Sequence, residues 1–166
     1  MDKCFQIPQH RGGALYIFCL TLDCKRIISV TSLLVPIMGA IYKAYYAKKM
    51  GVPVNKLICA SNANNVLTDF INTGTYDRNR DFYLTMSPSM DILVSSNLER
   101  LLYLMSGCDT ALVSSLMEQL NREGSYTVPE DLLAVIQKEF WAECCDDIQA
   151  RAAIGQVWQQ HKCGED

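Results

Sequence analysis

The sequence predicts an α/β protein with a partial parallel sheet, flanking helices and a helix-rich C-terminal half. Three observations carry that expectation. The β-branched run Ile27 to Val35 (IISVTSLLV) is followed by a helical pattern and a second short apolar run. Glycines close successive helical patterns at Gly51, Gly74, Gly107 and Gly124. Hydrophobic residues make up 49% of the chain against 20% charged, the balance of a folded domain. At 166 residues, one compact fold would bury about 70% of the surface its unfolded chain exposes.

Taken in order, Ile27 to Val35 reads as a buried strand, Pro36 to Gly39 as a turn, and Ala40 to Met50 (AIYKAYYAKKM) as a helix stopped by Gly51. Lys48 and Lys49 sit near that helix's negative end. Lys56 to Ala60 supplies another short strand, which completes one βαβ unit. In such a unit the turn at the carboxyl end of the first strand is the natural ligand point, because helix N–H groups there can hold a phosphate. Gly39 lies at that turn.

Asn65 to Thr73 reads as a helix closed by Gly74, and Thr75 to Asp81 (TYDRNRD) as a charged loop. Alternating charge of this kind marks a solvated surface, with an anion site on Arg78 and Arg80 as the alternative. Asp91 to Val94 is the next strand candidate. Ser96-Asn97-Leu98-Glu99 has the spacing of a capping box, opening a helix that ends near Gly107 with Leu98, Leu101, Leu102 and Met105 as its apolar stripe. Asp109 is placed to cap a helix reaching Arg122, and Thr127-Val128-Pro129-Glu130 repeats the capping spacing for a helix to about Phe140. Asp146 is placed to cap the last helix, through Trp158. Residues 27 to about 94 are thus expected to form the sheet portion, with 96 to about 161 packed beside it as helices.

Charge and cysteine usage narrow the function classes. The net charge of −3 and pI near 5.4 give no basic surface for a phosphate backbone, so nucleic acid is not expected as a partner. Cys4, Cys19, Cys24, Cys59, Cys108, Cys144, Cys145 and Cys163 contain no Cys-x-x-Cys pair, and only His10 and His161 accompany them. Tetrahedral zinc requires closely paired ligands, so scattered reduced thiols in a cytoplasmic protein are the expectation. Ala14 to Leu22 (ALYIFCLTL) has the apolar character of a secretory signal centre, but Asp23, Cys24, Lys25 and Arg26 follow instead of a small-residue cleavage site. Neither this run nor Ile27 to Ile41 reaches the ~20 residues of a membrane span.

Leu57 to Phe70 (LICASNANNVLTDF) concentrates Asn62, Asn64 and Asn65 in four positions. Asparagine side chains bond nearby backbone and collect at strand ends and helix starts, so the cluster is expected to mark a turn between the two.

The run from about Tyr45 to Cys108 contains NANNVLTDF, YDRNRDFY, TMSPSMDI and SSNLERLL in order. With these four linked blocks it resembles the threonine synthases, pyridoxal-phosphate enzymes of the tryptophan-synthase β fold, also called fold type II. The similarity continues more weakly from Val128 to His161. It divides the chain into residues 1–38 without family resemblance, a threonine-synthase-like region over 39–163 and a tail at 164–166. The resemblance implies conversion of O-phosphohomoserine to threonine and phosphate, with pyridoxal phosphate as the electron sink. Such chemistry requires a Schiff-base lysine and a cradle of donors for the cofactor phosphate.

The family's lysine stands in a Ser-Phe-Lys-Asp-like context, and none of Lys3, Lys25, Lys43, Lys48, Lys49, Lys56, Lys138 or Lys162 has those neighbours. No catalytic residue is therefore assigned, and an Asp-Thr-His-Thr-like segment after Lys162 is likewise missing. The family's phosphate loop reads Val-Pro-Thr-Gly-Asn-Phe-Gly, whereas Leu33 to Gly39 reads LLVPIMG and keeps only the last glycine in register. Gly39 is thus the one cofactor-binding candidate, while Ile37 and Met38 crowd an approach that glycine would leave open. Codons compatible with Ser32 to Val35, read one base earlier, spell Val-Pro-Thr-Gly, and those for Ile37 to Gly39 spell Asn-Tyr-Gly. Residues 1 to about 38 are on that ground expected to derive from out-of-frame or misjoined coding sequence, which the nucleotides over codons 31 to 39 decide. The functional expectation is a threonine-synthase-like chain that is incomplete and inactive alone and self-associates through exposed core surface. The alternative is a non-catalytic α/β interaction module.

Overall fold

The computed structural model describes residues 45–51 and 56–161. The strand expected over 27–35, the turn at 36–39 and any irregular packing of the N-terminal segment lie outside the described residues. A helical turn over 45–49 ends at Gly51, where φ is +99°. Strand β1 is Leu57–Ser61, α1 Val66–Thr73 and β2 Thr75–Asp77. A 3₁₀ turn, Pro88–Met90, precedes α2, Leu98–Met105, and α3, Thr110–Glu123. Then come β3, Ser125–Thr127, α4, Glu130–Glu139, β4, Phe140–Cys144, and α5, Asp147–His161.

Two small sheets organise these elements. β1 pairs in parallel with β4, from Leu57 opposite Phe140 to Ser61 opposite Cys144. β2 pairs antiparallel with β3, placing Tyr76 opposite Tyr126. The second sheet arises from one device used twice, in which a helix ends on a left-handed glycine and the chain turns directly into a strand. Gly74 (φ +80°) closes α1 and Gly124 (φ +78°) closes α3. A side chain at Gly124 would collide with Asn79, and at Gly74 a Cβ would lie 3.0 Å from Leu133. Both positions therefore favour glycine for conformation, and at Gly124 a side chain would also have to displace Asn79.

The core is centred on Phe70, Tyr76 and Tyr126. The two tyrosine rings stack at 5.3 Å with 5° between their planes, and Phe70 meets each edge-on at 6.0 Å. Around them α1 contributes Val66, Leu67 and Ile71, α2 contributes Leu98, Leu101, Leu102 and Met105, and α4 contributes Leu132 and Ile136. The stripe expected on α2 is therefore buried core. The Tyr76 hydroxyl donates to the Leu93 carbonyl and accepts from the Ser95 amide, both at 2.9 Å. These bonds fasten the segment before α2 to the ring stack.

Several sequence expectations need correction. Thr75–Asp77 is strand β2, because Gly74 redirects the chain into pairing with β3 and Tyr76 has a core position to fill. Asp91 to Val94 is irregular, since the Asp91 and Ile92 amides turn back to the Pro88 and Met90 carbonyls. The α2 capping box does not form: Asn97 holds the N-cap position in helical geometry without a side-chain cap bond. Thr127 is likewise no cap. It lies in β3 with its hydroxyl 3.0 Å from that of Thr75, and Pro129 stands at the N-cap of α4.

The C-terminal half also carries two strands besides its helices. Phe140 to Cys144 alternates buried and exposed at Phe140, Trp141 and Ala142, which fits a strand, but five residues between two helical patterns gave that period too little length to register. The caps expected at Asp109 and Asp146 are present. Asp109 Oδ1 accepts from the Leu112 amide at 2.9 Å, and Asp146 Oδ1 accepts from the Gln149 amide at 2.8 Å while Gln149 returns a bond to the Asp146 amide.

Cys59, Cys108, Cys144 and Cys145 are free thiols. Cys59 is fully buried in β1, and burial pushes its thiol up from 9.0 to about 12. Its folded pKa is therefore above its unfolded one, so the associated stability is intact below pH 9 and is lost as pH rises toward about 12. Burial likewise raises Tyr76 and Tyr126 above their ordinary 10.0, which steepens the loss above that pH. Denaturant unfolding from pH 7 to 11 should show a plateau followed by an alkaline decline; a flat profile to pH 11 would contradict this. Below pH 9, the exposed Cys108 and Cys144 should react with a thiol reagent while Cys59 stays silent until unfolding.

Candidate functional site

The asparagine cluster sits where the sequence suggested, between the end of β1 and the start of α1. Its role extends further than a turn. Asn62 and Asn64 are almost wholly buried, at 8% and 4% exposure, so their amides must find partners. Asn62 Oδ1 accepts from the Asn64 backbone at 2.9 Å, an Asx-type local bond. Asn62 Nδ2 donates to Asp91 Oδ1 at 2.7 Å and to Thr85 Oγ1 at 2.9 Å. Asn64 Nδ2 donates to the same Asp91 oxygen at 3.0 Å and to the Tyr83 carbonyl at 2.8 Å, while Asn64 Oδ1 accepts from the Tyr83 amide at 2.9 Å.

Asp91 is the hub. Besides the two asparagines, it accepts from Thr85 Oγ1 at 2.8 Å on one oxygen and from the Thr85 amide at 3.0 Å on the other. Neutral donors supply all these bonds, which suits a carboxylate that is half-buried and not paired to a described cation. Twenty residues, 78 to 97, separate β2 from α2, and their only regular structure is the 3₁₀ turn at Pro88–Met90. A connection of that length inside a compact fold requires anchors, and the Asn62–Asn64–Asp91–Thr85 network supplies them at the carboxyl end of β1.

Asn65 follows a different course. It occupies the N-cap of α1 without capping an amide, and its side chain instead accepts from Arg80 Nη1 at 3.0 Å. Arg80 also reaches Asp69 Oδ2 at 2.7 Å and the Asp77 carbonyl at 2.8 Å. It is therefore an internal brace between α1 and the following loop, and an anion site on Arg80 does not fit this geometry. Sequence reading found the asparagines and missed Asp91 and Thr85. These lie more than twenty residues downstream of Asn62, and no local spacing connects them.

Gly39, the one cofactor-binding candidate, lies outside the described residues, as do Lys3, Lys25, Lys43 and Lys162. The described lysines do not offer a Schiff-base position in the network. Lys48 pairs with Glu139 at 2.7 Å and holds that carboxyl below its ordinary range. Lys49 lies 5.2 Å from the centre of the Tyr45 ring, Lys56 donates to the Gln137 carbonyl at 3.0 Å, and Lys138 is exposed in the last turn of α4. The described residues thus do not by themselves fit pyridoxal phosphate, since the network contains neither a lysine nor a free cluster of donors. Among them, no group of three His, Cys, Asp or Glu side chains comes together to hold a metal ion, and no helix is long and apolar enough to cross a membrane.

No protein-family model matches the chain. Individual proteins do. Over 121 residues it is 47% identical to threonine synthase-like 1 of Macaca fascicularis, covering 72% of this chain and 16% of that protein. Over 130 residues it is 41% identical to threonine synthase of Eremothecium gossypii, covering 73% of this chain and 25% of that one. The matched region belongs to the threonine synthase family. The architecture agrees: the crystal structure of pyridoxal-phosphate-bound threonine synthase from Brucella melitensis superposes with a TM-score of 0.74 at 39% identity, covering 77% of this chain and 28% of that one. Yeast threonine synthase gives 0.70 at 32% identity over 74% of this chain. The small parallel sheet with flanking helices is thus part of a threonine-synthase fold, and the chain spans from about a sixth to just over a quarter of these relatives.

Proposed function

We propose that the chain carries part of the scaffold of a threonine-synthase-type lyase, a cytoplasmic enzyme class that uses pyridoxal phosphate to convert O-phosphohomoserine to threonine and phosphate, and that the chain alone does not turn over. The carrying observation is the match to the pyridoxal-phosphate-bound Brucella enzyme in both sequence and structure. Free thiols at Cys59, Cys108, Cys144 and Cys145 suit a reducing compartment. In this reading the asparagine network fixes the connection at the end of β1, and the cofactor's lysine and phosphate cradle come from elsewhere in a complete enzyme. None of the chain's own lysines stands in the family's motif.

The saturation of the network favours a non-catalytic scaffold as the second reading. Every polar side-chain atom of Asn62 and Asn64, and both oxygens of Asp91, bond within the protein. Exposed Phe82, Tyr83, Leu84, Ile148 and Trp158 supply apolar surface for self-association in either case. Incubation of the chain with pyridoxal phosphate and O-phosphohomoserine tests the proposal. We expect no phosphate above the enzyme-free rate. Turnover that is abolished by replacing a single lysine would overturn the claim that the chain is inactive alone.

A further inference from the structure

The loop after β2 is held by side chains. Four amides within five residues find side-chain acceptors: Tyr83 on Asn64, Thr85 on Asp91, Met86 on Asp147 at 3.0 Å, and Ser87 on the Thr85 hydroxyl at 3.1 Å. The adjacent amides of Thr85 and Met86 thus reach two carboxylates from different parts of the chain. Asp91 is local to the loop, whereas Asp147 is the first residue of α5, 61 positions beyond Met86.

Helix α5 is the loosely packed partner in this pair. Ile148, Ile154 and Trp158 are exposed along it, and its first turn depends on the reciprocal bonds between Asp146 and Gln149. Elements with few buried contacts are the first to open. We propose that the Asp147–Met86 bond couples the docking of α5 to the order of residues 83–87, so that loosening the start of the helix loosens the loop and anchoring the helix stiffens it. The coupling rests on these hydrogen bonds and not on the family reaction.

The discriminating variant is Asp146→Ala. The cap bond of Asp146 lies on α5 rather than on the loop, so a merely local role for Asp147 would leave loop exchange unchanged when the cap is lost. In native-state amide exchange on the intact chain, Asp146→Ala should accelerate Met86 and Thr85 roughly five-fold, the scale of a lost N-cap. Asp147→Ala should accelerate them at least as much, and Asp147→Asn, which keeps a carbonyl acceptor, should largely restore them. The Cys59 and Trp141 amides, which face each other's strand in the β1–β4 pairing, should keep their protection throughout. Unchanged exchange at Met86 and Thr85 in Asp146→Ala overturns the proposal. Equal acceleration of the β1–β4 amides also overturns it, since the effect would then be global.

Discussion

Replacing Phe70 with alanine should lower the unfolding free energy by about 3 to 5 kcal/mol, the range for truncating a fully buried phenylalanine. Phe70 is 0% exposed, and its ring lies edge-on against both members of the Tyr76–Tyr126 stack. Truncation would remove both aromatic contacts and leave a cavity beneath the β2–β3 pair, which has only three residues per strand with which to adjust. A domain is typically stable by only ~5 to 15 kcal/mol, so the variant should be largely unfolded at moderate denaturant. Val135→Ala, at a 44% exposed position on α4, serves as the control and should change stability by less than about 1 kcal/mol. Urea unfolding followed by far-UV circular dichroism reads both. A loss below about 1 kcal/mol for Phe70→Ala would show that the ring stack is not the centre of the core.

Asp91→Ala should be the most damaging change among the polar residues, at about 2 to 4 kcal/mol. The variant would leave the Asn62 and Asn64 amides and the Thr85 backbone short of an acceptor, and each orphaned buried donor costs about 1 to 3 kcal/mol with incomplete additivity. Asp91→Asn should fall between wild type and alanine. It retains one acceptor oxygen but turns an amide toward groups that are already donors. The same unfolding experiment checks both variants, and an alanine variant as stable as the parent would mean that the network is bridged another way.

Local patterns in the sequence were sufficient for the helices and their stops. Gly74, Gly107 and Gly124 take positive φ after helices, Asp109 and Asp146 cap as their spacing suggests, and the α2 stripe of Leu98, Leu101, Leu102 and Met105 is buried. Short strands were harder, because three residues hold no readable alternation. Tyr76 and Tyr126 become strand residues only through pairing across about fifty positions. Two capping boxes failed because spacing alone does not determine where a helix begins: Thr127 is drawn into β3, and α2 starts at Leu98 behind Asn97.

The site divides in the same way. Asn62, Asn64 and Asn65 announce themselves by clustering, whereas Asp91 looks like any loop acid until the fold brings it to them. TMSPSMDI carried weight as a family block without revealing that its threonine and aspartate close a hydrogen-bonded network with NANN.

The central claim is that this chain carries threonine-synthase scaffold without a Schiff-base lysine of its own. Its most direct test is to mix the chain with pyridoxal phosphate, reduce with borohydride, and map the products by peptide mass spectrometry alongside the visible spectrum. Adducts scattered at low level over exposed lysines such as Lys138, with no saturable aldimine band, are the predicted result. A saturable band with a stoichiometric adduct on one lysine would contradict the account.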